Sequence, residues 1–458
     1  MKKTIAIFAA TLLTGNVLFA QFRATDKTGI NVFEVPKTEM EFDGVKVVFG
    51  GGFTQGFQTL KHSNLATPKL VSGVDQNKLT RIRPGFNLAS ANLLIKTQLA
   101  DGVALNMELY LASRHHNETW VKGGYIQFDK VPFMKLDFID NIMKYTTVKV
   151  GQMEVNYGDA HFRRTDGGNA IYNPFIENNI LDEFATEVGM EANVNYHGIV
   201  GVASITNGLL KANISVIDST FNISTTPKTL ISAGKNNPAF IAKLGYDKQL
   251  NEDLRFRLTG SVYYTAGAVS NTLLSGDRAG SNYFGVMDFS APSTANFTTG
   301  RYNPRLTDKI SALMGNLFVK FHGLEWFTTV ESISGRSITE ATGERKVTQI
   351  ATDLVYRFGS DENFWVGARY NVVNSQQYLA TDLPAIAVSS TLPAFDAVTK
   401  GMYDVNINRL AISAGWFLTK NVMAKLEYSN QNYGGFLYND IRNKGNFNGI
   451  VAQAVVGF

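Results

Sequence analysis

The chain has 458 residues, with 43 lysines and arginines against 39 aspartates and glutamates, a formal net charge of +4, and no cysteine. That length suits two or three soluble domains or one large barrel, and the near balance of charge argues against a nucleic-acid partner. The absence of cysteine removes disulfides, thiolate nucleophiles, Cys-ligated zinc, iron–sulfur clusters and the lipidated cysteine of a lipoprotein.

Residues 1–20 have the make-up of a secretory signal. Lys2 and Lys3 precede an apolar run from Ile5 to Leu13, and Ala20 is the expected residue before cleavage ahead of Gln21. The run is too short to cross about 30 Å of hydrocarbon, and no later stretch reaches the roughly 20 apolar residues of a membrane helix. Residues 21–43 are expected to be a periplasmic segment leading into a barrel over residues 44–458.

From Gly44 onward the dominant signal is a two-residue alternation. Between Leu254 and Tyr264, the apolar set Leu254, Phe256, Leu258, Val262 and Tyr264 interleaves with Arg255, Arg257, Thr259 and Ser261. Thr348 to Phe358 repeats the pattern, as do Val103 to Leu111, Glu187 to Tyr196, Phe364 to Val372 and Val422 to Tyr428. In a barrel wall every second side chain faces lipid and its neighbours face the lumen. An arginine replacing Leu258 or Leu354 would then meet lipid, whereas one replacing Thr259 or Gln349 is expected to be tolerated.

Strands of about ten to thirteen residues are joined alternately by tight turns and long polar loops, the rhythm of an outer-membrane barrel. The turns fall near Ala100 to Gly102, His197 and Gly198, Gln249 to Glu252, His322 and Gly323, Gly359 to Glu362, and Thr419 to Lys420, with one longer turn at Lys130 to Met143. About sixteen strands result, an even number that brings both ends to the periplasmic side. Tyr196, Tyr246, Phe321, Trp326, Phe358, Phe364 and Trp416 share the apolar parity close to the turns, where a lipid–water interface would lie. A sandwich core would instead concentrate its aromatics mid-strand.

The third long loop, 156–183, packs charge, glycine and aromatics together, and it supplies the candidate pore constriction: Asp159, His161, Arg163, Arg164 and Asp166. The plainer alternative is a surface loop whose charges pair among themselves. Inward parity assigns Lys149, Lys243, Arg255, Arg257, Asp353, Arg357, Arg369, Arg409 and Lys425 to the pore lining. Counted over all inward positions, an excess of about four positive charges gives a weak anion preference. Lys122 falls on the lipid parity unless Gly123 and Gly124 form a bulge that resets the register.

The run from Gly158 through Arg164, Asn173 and Pro174, then Asn178 to Gly189, resembles porins of the Bacteroidota, grouped with the phosphate-selective (O/P-type) porins. The opening from Gly44 to Gln58, with Gly50, Gly51 and Gly52, is similar as well. Phe458 matches the aromatic that closes the last strand of many bacterial outer-membrane barrels. The resemblance implies an integral protein of a Gram-negative outer membrane that passes small hydrophilic solutes and ions by diffusion. Its expected partners are outer-membrane lipid, the barrel-assembly machinery and the permeating solute, with a homotrimer among the open assembly states. Such relatives carry lysine and arginine ladders for phosphate, and this loop has no comparable lysine cluster.

Asp159, His161 and Asp166 could form an acid–base set, but outer-membrane hydrolases use narrower barrels and no serine lies in a nucleophile-elbow sequence. His115 and His116 are adjacent and point apart in an extended chain, which suits a metal poorly. No cofactor, metal or catalytic residue is expected. A substrate-specific channel of phosphate or fatty-acid type is the alternative, followed by a hydrolase.

Overall fold

The two-residue alternation closes on itself. The computed structural model describes residues 23–35, 37, 42–112, 119–165, 167–210, 237–268, 270–276, 282–289, 300–337, 340, 343–389 and 392–458; the signal-peptide region, Asp166, His115 and His116 lie outside them. Its wall is β1 (Lys46–Ser63), β2 (Ser90–Ala100), β3 (Val103–Ala112), β4 (Thr119–Phe128), β5 (Thr146–Glu154), β6 (Thr186–Tyr196), β7 (Ile199–Thr206) and β8 (Ala239–Gln249). It continues through β9 (Leu254–Thr265), β10 (Ile310–Phe321), β11 (Leu324–Gly335), β12 (Arg345–Phe358), β13 (Phe364–Leu379), β14 (Gly401–Thr419), β15 (Val422–Gly434) and β16 (Asn446–Gly457). Each strand pairs antiparallel with the next, and β16 returns to β1 from Gly52↔Gly457 to Ser63↔Asn446. The two-residue strand Gly85–Phe86 adds a short seventeenth member against β1. Closure removes both sheet edges, so every wall strand has a backbone partner on either side.

The burial pattern is inside-out relative to a soluble sheet. Leu258 and Leu354 are 52% and 54% exposed, whereas the adjoining Arg257 and Asp353 are 0% and 2% exposed. Water on the outside would make that arrangement costly; hydrocarbon makes it favourable, so this is a membrane-spanning barrel. At its periplasmic rim Phe364 and Trp416 stack with ring centroids 5.3 Å apart. The His197–Gly198 turn has positive φ at both residues, 50° and 92°, as a two-residue hairpin between right-twisted strands requires. The longer periplasmic turn carries α1 (Asp137–Met143).

Lys122 settles its own register. The β3–β4 pairing steps from Glu108↔Gly123 to Leu109↔Val121, leaving Lys122 as the extra residue. Its side chain therefore turns inward, 3.2 Å from Glu108 Oε1 and 3.9 Å from Glu154 Oε2. The bulge sits one residue before the glycine pair.

Candidate functional site

The third outer loop leaves β5 at Val155 and rejoins the wall at β6, and most of it is buried. Gly158, at φ 69°, lets the chain turn against β10; a methyl there would collide with Met314 Sδ. Two short 3₁₀ turns follow, Ala160–Arg163 and Gly167–Tyr172. Away from a sheet, their backbone groups need partners, and the wall supplies them.

Those partners lie on successive strands around the barrel. Asn316 of β10 accepts from the Asp159 N–H (2.9 Å), and Tyr157 donates to Glu331 of β11 (2.9 Å). Gln349 of β12 and Asn371 of β13 accept from the Leu181 and Ile180 N–H groups (3.1 and 2.6 Å). Arg369 of β13 and Arg409 of β14 donate to the Glu177 and Asn178 carbonyls (2.8 and 2.7 Å). On β15, Glu427 accepts from the Ile176 N–H (2.8 Å), while Lys425 Nζ donates to the carbonyls of Ala170, Asn173 and Phe175 (2.9, 3.2 and 2.9 Å). Apolar contacts complete the seat, with Ile176, Ile180 and Leu181 in one buried cluster with Tyr263, Val347, Val373 and Ile407.

The N-terminal segment enters from the other end. Phe33 packs between Phe162 and Phe318, and Asn31 donates to Glu325 (2.6 Å). Glu34 meets Arg257 (2.6 Å), which also clasps Asp159 through Nε and Nη2 (2.8 and 2.7 Å). Lys243 joins Asp159 at 3.2 Å, and Thr259 donates to it at 2.7 Å. Burial alone would raise the Asp159 carboxyl, but Lys243 and Arg257 hold it well below the usual carboxylate range. Both carboxylate oxygens are thereby engaged, and the ring of His161 bonds Asn156 instead (3.0 Å). Asp159 and His161 do not form an acid–base pair.

What the loop and the N-terminal segment leave open is an off-axis cavity of about 320 Å³ against β3–β6. Its walls run from Tyr145, Thr147 and Asn195 near the periplasmic turns to Met153, Glu154 and Thr186 near the outer rim. Arg23, Lys37, Lys122, Lys149 and Arg164 face it, and so do Glu34, Glu108, Asp129, Glu154 and Glu191. The two signs match one for one. Phe33, Tyr125, Phe162 and Tyr172 bring aromatic surface.

The expected constriction residues divide accordingly. His161 and Arg164 border the cavity, whereas Asp159 and Arg163 are sealed within the loop's contacts. Of the expected pore lining, Lys149 borders the cavity. Arg255 and Arg357 face a separate periplasmic-side cavity of about 490 Å³. Lys243, Arg257, Asp353, Arg369, Arg409 and Lys425 do point inward, but they are buried and none of them borders the off-axis cavity. Parity gives direction, and direction is not access. Sequence reasoning missed Arg23, Glu34, Lys37 and Asp129, because the first three lie in a segment without periodicity and Asp129 follows the end of its strand.

A scan against known protein families finds no match, and a search of curated proteins finds none. Among solved structures, the outer-membrane channel DcaP of Acinetobacter baumannii aligns over 91% of this chain and 98% of its own, with 10% identity and a TM-score of 0.47. OmpT of Vibrio cholerae, an outer-membrane protein, aligns over 92% and 100% (10% identity, TM-score 0.46). The anion-selective porin from Comamonas acidovorans aligns over 91% and 100% (10% identity, TM-score 0.45).

Proposed function

We propose that this protein is an integral outer-membrane porin through which small hydrophilic solutes diffuse passively, along the off-axis space beside β3–β6. The observation that carries the reading is that cavity, which presents charged, polar and apolar side chains over nearly the full length of the wall. The weak anion preference expected from inward parity is not carried over. The basic side chains behind that count are mostly neutralised under the loop, and the cavity itself holds five cationic and five acidic residues. Purified protein in planar bilayers should show ohmic channels with a reversal potential near zero in a salt gradient, and Tyr125→Ala should raise the conductance. A protein that inserts and never conducts would end the reading.

A substrate-specific channel is the second reading, favoured by the five phenylalanine and tyrosine rings in the lining. Current that saturates as one solute is added would identify it, and block of chloride current by phosphate would point to the phosphate-selective type that the loop resembles. Assembly as a homotrimer through the barrel machinery belongs to the same proposal, and sedimentation in detergent tests the trimer.

A further inference from the structure

Arg163 is 3% exposed, and none of its three guanidinium nitrogens makes a hydrogen bond. Its nearest carboxylate, Asp353, stands 3.9 Å away and is already held by Arg369 through Nε and Nη2 at 2.6 and 2.8 Å. The face of Phe327, 4.8 Å from the guanidinium carbon, gives a weak cation–π contact. A buried guanidinium carries five donors, and leaving them unmatched is costly.

A second orphan lies beside it. Asn178 is 4% exposed, and its Oδ1 accepts from both the backbone and the hydroxyl of Thr165 (2.8 and 3.2 Å). Those bonds fix the amide orientation, so its unbonded Nδ2 is a donor. Arg163 and Asn178 border one small cavity of about 20 Å³ between the loop and the wall, with Arg164 and Arg369 also in its lining. A cavity of that size holds one small species.

The local charge has the same sign as the orphans. Arg164 and Arg301 both meet Asp182, and Arg369 and Arg163 both approach Asp353. Glu183 also borders the cavity, and its Oε1 accepts from Gln349 Nε2 (3.0 Å). The cavity wall thus carries Arg163, Arg164 and Arg369 against Asp182 and Glu183. A water would take only part of that donor set and none of the charge.

We propose that this cavity is a resident small-anion site, of chloride size, in which Arg163 and Asn178 are the ligands and the anion locks the third outer loop against the wall. It is independent of the permeation path, although His161 and Arg164 stand in the walls of both cavities.

The test uses the full barrel in detergent with bromide or chloride as the probe and gluconate as the anion too large to enter. Crystals grown in bromide should give an anomalous peak between Arg163 and Asn178 Nδ2. Amide exchange over residues 160–182 should slow about tenfold when chloride reaches ten times its Kd. Arg163→Gln should abolish both effects. Asn178→Asp keeps an acceptor for Thr165 and places a carboxylate oxygen where Nδ2 was; it should protect the loop without chloride and show no bromide peak. Exchange rates equal in chloride and gluconate, an ordered water without anomalous signal, or a bromide peak that survives Arg163→Gln would each overturn the proposal.

Discussion

Arg163 and Arg164 are consecutive, yet one is enclosed by the loop and the other also borders the open cavity. Arg164→Gln should therefore shift the reversal potential toward cations, and Lys149→Gln should do the same, while Lys425→Gln should leave ion preference unchanged because its ammonium is spent on three carbonyls. Burial keeps the His161 imidazole below its ordinary value against the opposing pull of Glu154, so it is neutral at pH 7. Lowering the pH through that value adds one positive charge to the cavity wall. Reversal potentials recorded as the pH is lowered from 7 should move toward anions once the imidazole protonates, and His161→Gln should abolish the movement. A different titration belongs to the outer loops, where burial pushes the Asp288 carboxyl up to about 7. Its backbone carbonyl accepts from the Thr80 N–H (2.8 Å), tying the fifth loop to the first. A carboxyl raised in the folded state contributes stability that is full below about pH 4 and lost as pH rises through about 7. Exchange of the Thr80 amide, corrected for its intrinsic rate, should accelerate between pH 5 and pH 8 in the native protein and stay flat in Asp288→Asn.

The third outer loop is seated by contacts from six wall strands, so weakening one should loosen it without unfolding the barrel. Gly158→Ala combines the cost of a positive φ, about 1–2 kcal/mol, with the collision against Met314. Single-channel conductance should rise and become noisy, and Met314→Ala should undo the steric half of that effect. Removing Asp159 acts more strongly: Asp159→Ala leaves buried Lys243 paired with Glu34 alone, at 3.5 Å and shared with Arg257, which also keeps Asp247; removing one partner of a buried ion pair costs about 3–5 kcal/mol. Deleting Ala160 to Ala170 should raise conductance further, since the loop occupies the lumen beside the cavity. Unchanged conductance in all three variants would mean that current does not pass beside this loop.

At the scale of the whole barrel, the wall was legible because a hydrogen-bonded ladder imposes a period of two and lipid makes one of the two faces apolar. Leu258 beside Arg257 announces both facts within two residues. The turns were legible for a local reason as well, since His197–Gly198 must close two strands in two residues. The seat of the loop was not legible. Ile176 and Glu427 are 251 positions apart, and neither gives a sign of the other. Which inward cations meet solvent depends on that seat, so a parity count overstated the basic lining. The same distinction revises the expected outcome of placing arginine on either face. Leu258→Arg and Leu354→Arg put a charge in hydrocarbon, at about 2–4 kcal/mol near mid-bilayer, and should block or slow assembly. Thr259→Arg and Gln349→Arg meet no open lumen, contrary to the tolerance expected from alternation. Thr259 bonds Asp159, and Gln349 bonds the Leu181 backbone and Glu183 at 3.0 Å each. These two variants should assemble into heat-modifiable barrels, because the outer face and the strand ladder are untouched, but their third loop should be displaced and cut faster by added protease. Folding yield in lipid vesicles and loop cleavage in the folded fraction separate the two failures. If all four variants fail at assembly alone, the loop is part of the folding nucleus of the barrel; if all four lose only loop protection, the outer face is not lipid-exposed and the barrel does not span a membrane.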